Sequence, residues 1–179
     1  VPYKTEDFSY DHMQRQLETR LLAAMQENLG VDISDKAIRK AVKEHNEVCK
    51  IIQEISEMRK ADDPVITGYE FHILNLVTYT CPKYLILPYL KETLEELKKR
   101  KPDGKLPRAR VGIVGSEIDD PEFTKMIEAA GARVVFDRHC FGSIPGREVI
   151  ELSDKEDALP QIISRSEERR VGKECRSRW

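Results

Sequence analysis

The chain has 179 residues, 40% hydrophobic and 35% charged, with 30 Lys/Arg against 32 Asp/Glu. That length suits one large domain, or one domain with an appendage, and the composition is that of a soluble globular protein with charged helix surfaces. No apolar run approaches the roughly 20 residues of a membrane span and no signal peptide opens the chain, so the expectation is a cytoplasmic protein without a membrane partner.

In chain order, Tyr10, Met13, Leu17, Leu21 and Ala24 recur at three and four and predict an amphipathic helix over 9–29, ended by Gly30. Ser34 is placed to cap a second helix over 35–60, with Ile38, Val42, His45, Cys49, Ile52 and Ile55 as its stripe. A connector of about four residues makes the two helices antiparallel neighbours. His45 and Cys49 sit one turn apart, which is metal-ligand spacing; with no second pair following, they read as core-facing side chains. Residues 61–64 break the helix, and Thr67 can cap the apolar stretch 69–79. His72, inside that stretch, is either a site residue or a buried, hydrogen-bonded histidine. Tyr84, Leu87, Leu90, Leu94 and Leu97 predict a long helix over 83–99, with Pro88 as a kink. The charged stretch 98–110 is a solvated linker.

Residues 110–143, RVGIVGSEIDDPEFTKMIEAAGARVVFDRHCFGS, organise the rest. Val111-Gly112-Ile113-Val114 is an apolar run stopped by Gly115, as in a buried parallel strand. Asp120 followed by Pro121 is a helix start, an N-cap carboxylate before a proline at N1. Phe123, Met126, Ile127 and Ala130 share one helical face, and Gly131 ends that helix. Arg133-Val134-Val135-Phe136 is the second strand. Strand, crossover helix and strand form a βαβ unit with parallel strands. Both strands end at one sheet edge, where open α/β sheets bind ligands. The candidate site residues are therefore Gly115, Ser116 and Glu117 on one loop and His139, Cys140, Gly142 and Ser143 on the other. Asp119 and Asp120 could form a catalytic pair, although capping already explains Asp120. After a turn at 144–146, Ser153 or Asp154 caps a last helix over 157–164.

The chain thus reads as α/β: a helical layer over 1–105, then a partial parallel βαβ lobe, Rossmann-like or flavodoxin-like, over 106–164. Two parallel strands cannot hold a sheet, and Val1 stands where a starting Met would, so the expectation is an internal fragment of something larger. Residues 165–179, RSEERRVGKECRSRW, have no helical or strand period and carry six Lys/Arg. They match the translation of a DNA string resembling a widely used sequencing adapter, and are read as a non-native tail. Without them 24 Lys/Arg face 29 Asp/Glu, so no basic patch remains to attract nucleic acid. Cys49, Cys81 and Cys140 are widely spaced with no CxxC, which argues for a reducing compartment and against a disulfide framework or a self-contained metal site. Gly112-x-x-Gly115 is not a dinucleotide fingerprint, although Asp137 lies near the ribose-binding place, and no Walker A, nucleophile elbow or HExxH occurs.

The string GSEIDDPEFTKMIEAAGARVVFDRHCFGS, followed by PGRE, resembles the 2-hydroxyacyl-CoA dehydratase family, which includes the benzoyl-CoA reductase subunits. The upstream strings ISDKAIRKAVKEHNEVCKIIQEISEMRK and PVITGYEFH are similar to the segment preceding that strand in family members, and the resemblance covers most of 5–164. It implies a subunit of an anaerobic, oxygen-sensitive lyase or reductase that acts on acyl-CoA thioesters. It further implies a second dehydratase subunit as heterodimer partner and an ATP-dependent activator protein that injects one electron. A [4Fe-4S] cluster held by cysteines is expected in the full-length subunit. The family's cluster cysteines lie upstream and downstream of this segment, so the fragment itself is expected to bind no cluster and to be inactive alone. For Cys140 three roles compete: cluster ligand, small hydrophobe under its loop, or pocket-lining residue without metal. A scaffold paralogue and an unrelated cofactor-binding α/β module are the competing classes.

Overall fold

The computed structural model describes residues 9–115, 117–143 and 147–170; Ser116, the turn expected at 144–146 and the tail beyond 170 lie outside them. The chain divides into two compact units, Val1–Val42 with Ile150–Trp179, and Lys43–Val149.

In the first unit, α1 (Ser9–Gln16) runs through a π-helical segment (Leu17–Leu22) into α2 (Ala23–Leu29). The Thr19 hydroxyl donates to the Arg15 carbonyl at 2.6 Å, back-bonding of the kind that loosens a helical ladder. Gly30 ends α2 at φ 63°, a left-handed cap as expected. Ser34 then caps α3 (Asp35–Met58), its Oγ accepting the Ala37 N–H at 3.3 Å. In place of the antiparallel helix expected for it, α1 meets α7 (Ala158–Arg170). The apolar stripe of 9–29 is not buried: Leu21 is 52% and Leu29 71% exposed. The α7 helix starts beyond Ser153 and Asp154, and its first N–H is accepted by Asp35 at 2.6 Å. Its backbone continues through residues 165–170, the first part of the stretch read as non-native.

The second unit holds the core. Val48, Ile51, Ile52 and Ile55 of α3 pack with Ile66, Phe71 and the Ile86, Leu90, Leu94 and Leu97 stripe of α5 (Lys83–Lys99). Between them lies α4 (Gly68–Thr80), opened by a complete capping box: Thr67 Oγ1 accepts from Glu70 N–H and the Glu70 carboxylate accepts from Thr67 N–H. Then come β1 (Ala109–Val114), α6 (Pro121–Ala129) and β2 (Ala132–Arg138). The strands pair in parallel, Ala109 opposite Ala132 and Val114 opposite Arg138, with an irregularity at Val111/Gly112. Asp120 caps α6 through the Glu122 N–H, and Gly131 turns the chain at φ 93°.

The α6 face departs from expectation. Phe123 and Met126 are 42% and 61% exposed, while Thr124 is buried. The inward side of α6 is polar because it supplies a hydrogen bond to α4, and its Glu128 carboxylate accepts the Gly68, Tyr69 and Val134 N–H groups at 2.9, 3.2 and 3.1 Å. One carboxylate thus satisfies the N-terminal amides of α4 and ties them to β2. No helix among the described residues is long and apolar enough to cross a membrane.

Candidate functional site

The crossover brings the ends of β1 and β2 together. Gly115 N–H donates to the Arg138 carbonyl at 3.2 Å, carrying the strand pairing one residue past β1. On the first loop Glu117 is exposed. The second loop is built on Asp137, the buried penultimate residue of β2. Its Oδ1 accepts the Ser143 N–H at 2.5 Å, and Ser143 Oγ donates back to the Asp137 carbonyl at 3.2 Å. Gly142 closes the turn by donating to the His139 carbonyl at 2.9 Å. A Cβ on Gly142 would lie 2.7 Å from Asp137 Oδ1, so no larger residue fits without moving the loop. Cys140 is exposed at the tip, so it does not pack beneath the loop.

The other oxygen of Asp137 meets Arg59, just past the end of α3, at 2.5 Å. Arg59 is 1% exposed, stacks 3.5 Å over the Phe71 ring and donates to Ser56 Oγ. Burial alone would raise the Asp137 pKa; the Arg59 charge and the Ser143 N–H outweigh it and hold the carboxyl below its ordinary value. Burial likewise lowers Arg59, with Asp137 opposing.

His139 is 4% exposed, with its ring edge-on to His72 at 5.2 Å. His72 is the hydrogen-bonded buried histidine. The Ile118 carbonyl, 3.1 Å from Nε2, can only accept, so Nε2 carries the proton and Nδ1 accepts from Thr124 Oγ1 at 3.0 Å. His139 Nδ1 has no partner among the described residues. Burial lowers the His139 pKa, with the Arg59 charge adding to it, and outweighs the opposing pull of Asp137, so the neutral ring is favoured.

A second polar cluster adjoins this loop through Tyr79, whose hydroxyl donates to the Gly142 carbonyl at 3.0 Å and whose ring meets Phe141 edge-on. Arg147 lies 4.3 Å over the Tyr79 ring and donates to Asn75 Oδ1 at 2.9 Å and Thr78 Oγ1 at 2.5 Å. Lys83 donates to the Thr78 carbonyl. Burial lowers the Lys83 and Arg147 pKa values and raises that of Tyr79. Neither Arg59 nor Arg147 carried a local signal in the sequence; each is buried by partners 69 to 78 positions away.

The His45–Cys49 pair is a contact within α3, Sγ to Nε2 3.3 Å, with Cys49 fully buried. Cys49, Cys81 and Cys140 are unbridged, and no group of three or more His, Cys, Asp or Glu among the described residues converges as a metal site would require. The described residues therefore do not fit an iron–sulfur cluster, which needs about four thiolates. A surface depression of about 580 Å³ lies along α5, lined by Tyr89, Glu92, Thr93, Glu96, Leu97, Lys99 and Arg100, none of them at the sheet edge.

A family model described as 2-hydroxyglutaryl-CoA dehydratase, D-component, matches residues 1–174. No curated protein matches the chain.

Proposed function

The chain belongs to the 2-hydroxyglutaryl-CoA dehydratase D-component family, and from that premise we propose that it serves as one component of an enzyme removing water from a 2-hydroxyacyl-CoA thioester. The observation that carries this is the span of the match, which takes in every described element and both loops of the sheet edge. Such a dehydration is hard for ordinary acid–base chemistry. The hydrogen to be lost sits β to the thioester and is not acidic, so one-electron reduction of the thioester is the route the family resemblance implies, with a cofactor supplying it. The described thiols offer no cluster site. The iron–sulfur cluster, the partner subunit and the ATP-dependent activator are accordingly assigned to the complete, anaerobic, cytoplasmic enzyme.

What this chain's residues supply is a rigid edge. Arg59 and Asp137 lock the second loop from below, and Gly142 keeps a side chain off its backbone. In this reading, Cys140 and Ser143 border the acyl-CoA without ligating metal. The test is anaerobic assay of the complete enzyme carrying Cys140→Ser or Cys140→Ala. Both variants should keep full iron content while kcat/KM falls about tenfold or more, as misplacement at a reacting centre does. Loss of iron in both would make Cys140 a ligand, and full activity with full iron would remove it from the site. A substrate panel of 2-hydroxyacyl-CoA esters and benzoyl-CoA separates dehydratase from reductase.

A further inference from the structure

Two arginines of the second unit are equally withdrawn from water, Arg59 at 1% and Arg147 at 4% exposure, but among the described residues only Arg59 makes an ion pair. Arg59 meets Asp137 at 2.5 Å. Arg147 meets the neutral oxygens of Asn75 and Thr78 and the face of Tyr79. No carboxylate ion-pairs it among the described residues. A guanidinium buried without an anion is strongly unfavourable, and further donors at the same place raise the demand. Among the described residues Arg147 Nε has no hydrogen-bond partner, nor has Nδ2 of Asn75, itself 1% exposed. Lys83 brings a second positive charge to the Thr78 carbonyl. Asn75, Thr78 and Tyr79 lie at i, i+3 and i+4 on α4, so their side chains share one face. Lys83 and Tyr79 are only partly buried, which leaves a way in from solvent.

We propose that Arg147, Asn75 and Lys83 form a binding pocket for an oxyanion, a carboxylate or phosphate oxygen of the ligand held at this edge. Arg147 Nε and Asn75 Nδ2 donate to it, and Lys83 supplies the second charge. The pocket adjoins the second loop through Tyr79 and Gly142. Naming the ligand as an acyl-CoA rests on the dehydratase reading; the pocket itself does not. The anion is then either a terminal carboxylate of the acyl chain or a phosphate of the CoA. Two internal groups reach Arg147 electrostatically: Asp137, already paired with Arg59, and Cys49, which also reaches Lys83 and is the internal alternative as a thiolate counter-ion.

Calorimetric titration of the full chain with glutarate and with inorganic phosphate tests the pocket, and titration with glutaryl-CoA and butyryl-CoA identifies the source. At least one free anion should bind, and Arg147→Met and Asn75→Ala should each weaken it about tenfold or more, with Arg147→Lys retaining part. If Arg147→Met does not fold by circular dichroism, Asn75→Ala and Lys83→Met carry the comparison. A loss confined to glutaryl-CoA assigns the carboxylate; an equal loss with both esters assigns the CoA phosphate. Anion binding that depends on Arg147 while neither ester binds upholds the pocket and removes the acyl-CoA reading. Ester binding indifferent to Arg147, with no free-anion binding, overturns the pocket and leaves that reading intact. A Cys49 thiolate absorbance near 240 nm, lost in Cys49→Ser, together with no binding of either free anion, also overturns it.

Discussion

Asp137 holds the candidate site together by spending both carboxylate oxygens, one on Arg59 and one on the Ser143 amide. Asp137→Ala leaves Arg59 buried without its anion. We expect it to lower stability by about 3–5 kcal/mol, measured by urea unfolding, with much less loss in an Arg59→Met/Asp137→Leu double variant. The carboxyl sits below its ordinary pKa, so its contribution is complete above about pH 3.9 and is lost as pH falls through the lower folded value. His139 shifts downward too, but as a base: the folded ring binds protons less well than the unfolded one. Stability from this group is therefore complete above about pH 6.5 and declines as pH drops below it. His139→Asn should flatten the stability profile below about pH 6.5; an unchanged slope would place the titration elsewhere. His139 and Gly142 were legible as loop residues past a strand, whereas Arg59 and Arg147 were not. An arginine among many charged neighbours gives no local sign that a distant strand or helix will bury it.

Elements with chemical punctuation were legible, and elements defined by apolar spacing alone were only partly so. Asp120-Pro121 and Gly131 bracket α6 as expected, Gly30 ends α2, and the strands pair in parallel. The face of α6 was misread, because Thr124 and Glu128 turn inward to serve His72 and the start of α4 while Phe123 and Met126 remain exposed. Spacing identifies an amphipathic face but cannot reveal that a neighbouring helix wants hydrogen bonds. That junction is tight: a Cβ on Gly68 would lie 2.6 Å from Val134 Cβ and 2.8 Å from its carbonyl. Gly68→Ala should therefore cost about 1–3 kcal/mol through forced separation of α4 from β2. Thr67→Ala, which removes half of the capping box, should cost about 1 kcal/mol. Equal, near-zero effects by thermal or urea unfolding would show that α4 is held only by its apolar contacts.

On the scale of the whole molecule, the described sheet has two strands and two unlike faces. α4 and α6 pack on β2, whose Val134 is 2% exposed, and Ile113 of β1 is 8% exposed. On the other side Gly112 lies beneath the Phe136 ring, and Val114 and Phe136 are 72% and 44% exposed. A two-stranded pair is marginal by itself and depends on what packs against it, so the covered face should dominate its stability. For the chain alone, Val134→Ala is expected to cost about 2 kcal/mol, the order of a core truncation. Val114→Thr, on the open face, should stay within about 0.5 kcal/mol, as surface changes do. Urea unfolding of both variants checks the pair, and a large cost for Val114→Thr would mean that the open face is covered in the chain itself. The same comparison belongs in the complete dehydratase. There Val114→Thr should become costly in the thermal midpoint of the assembled enzyme if a component closes over β1 and β2. An effect as small as in the chain alone would show that this face meets water in the assembly too.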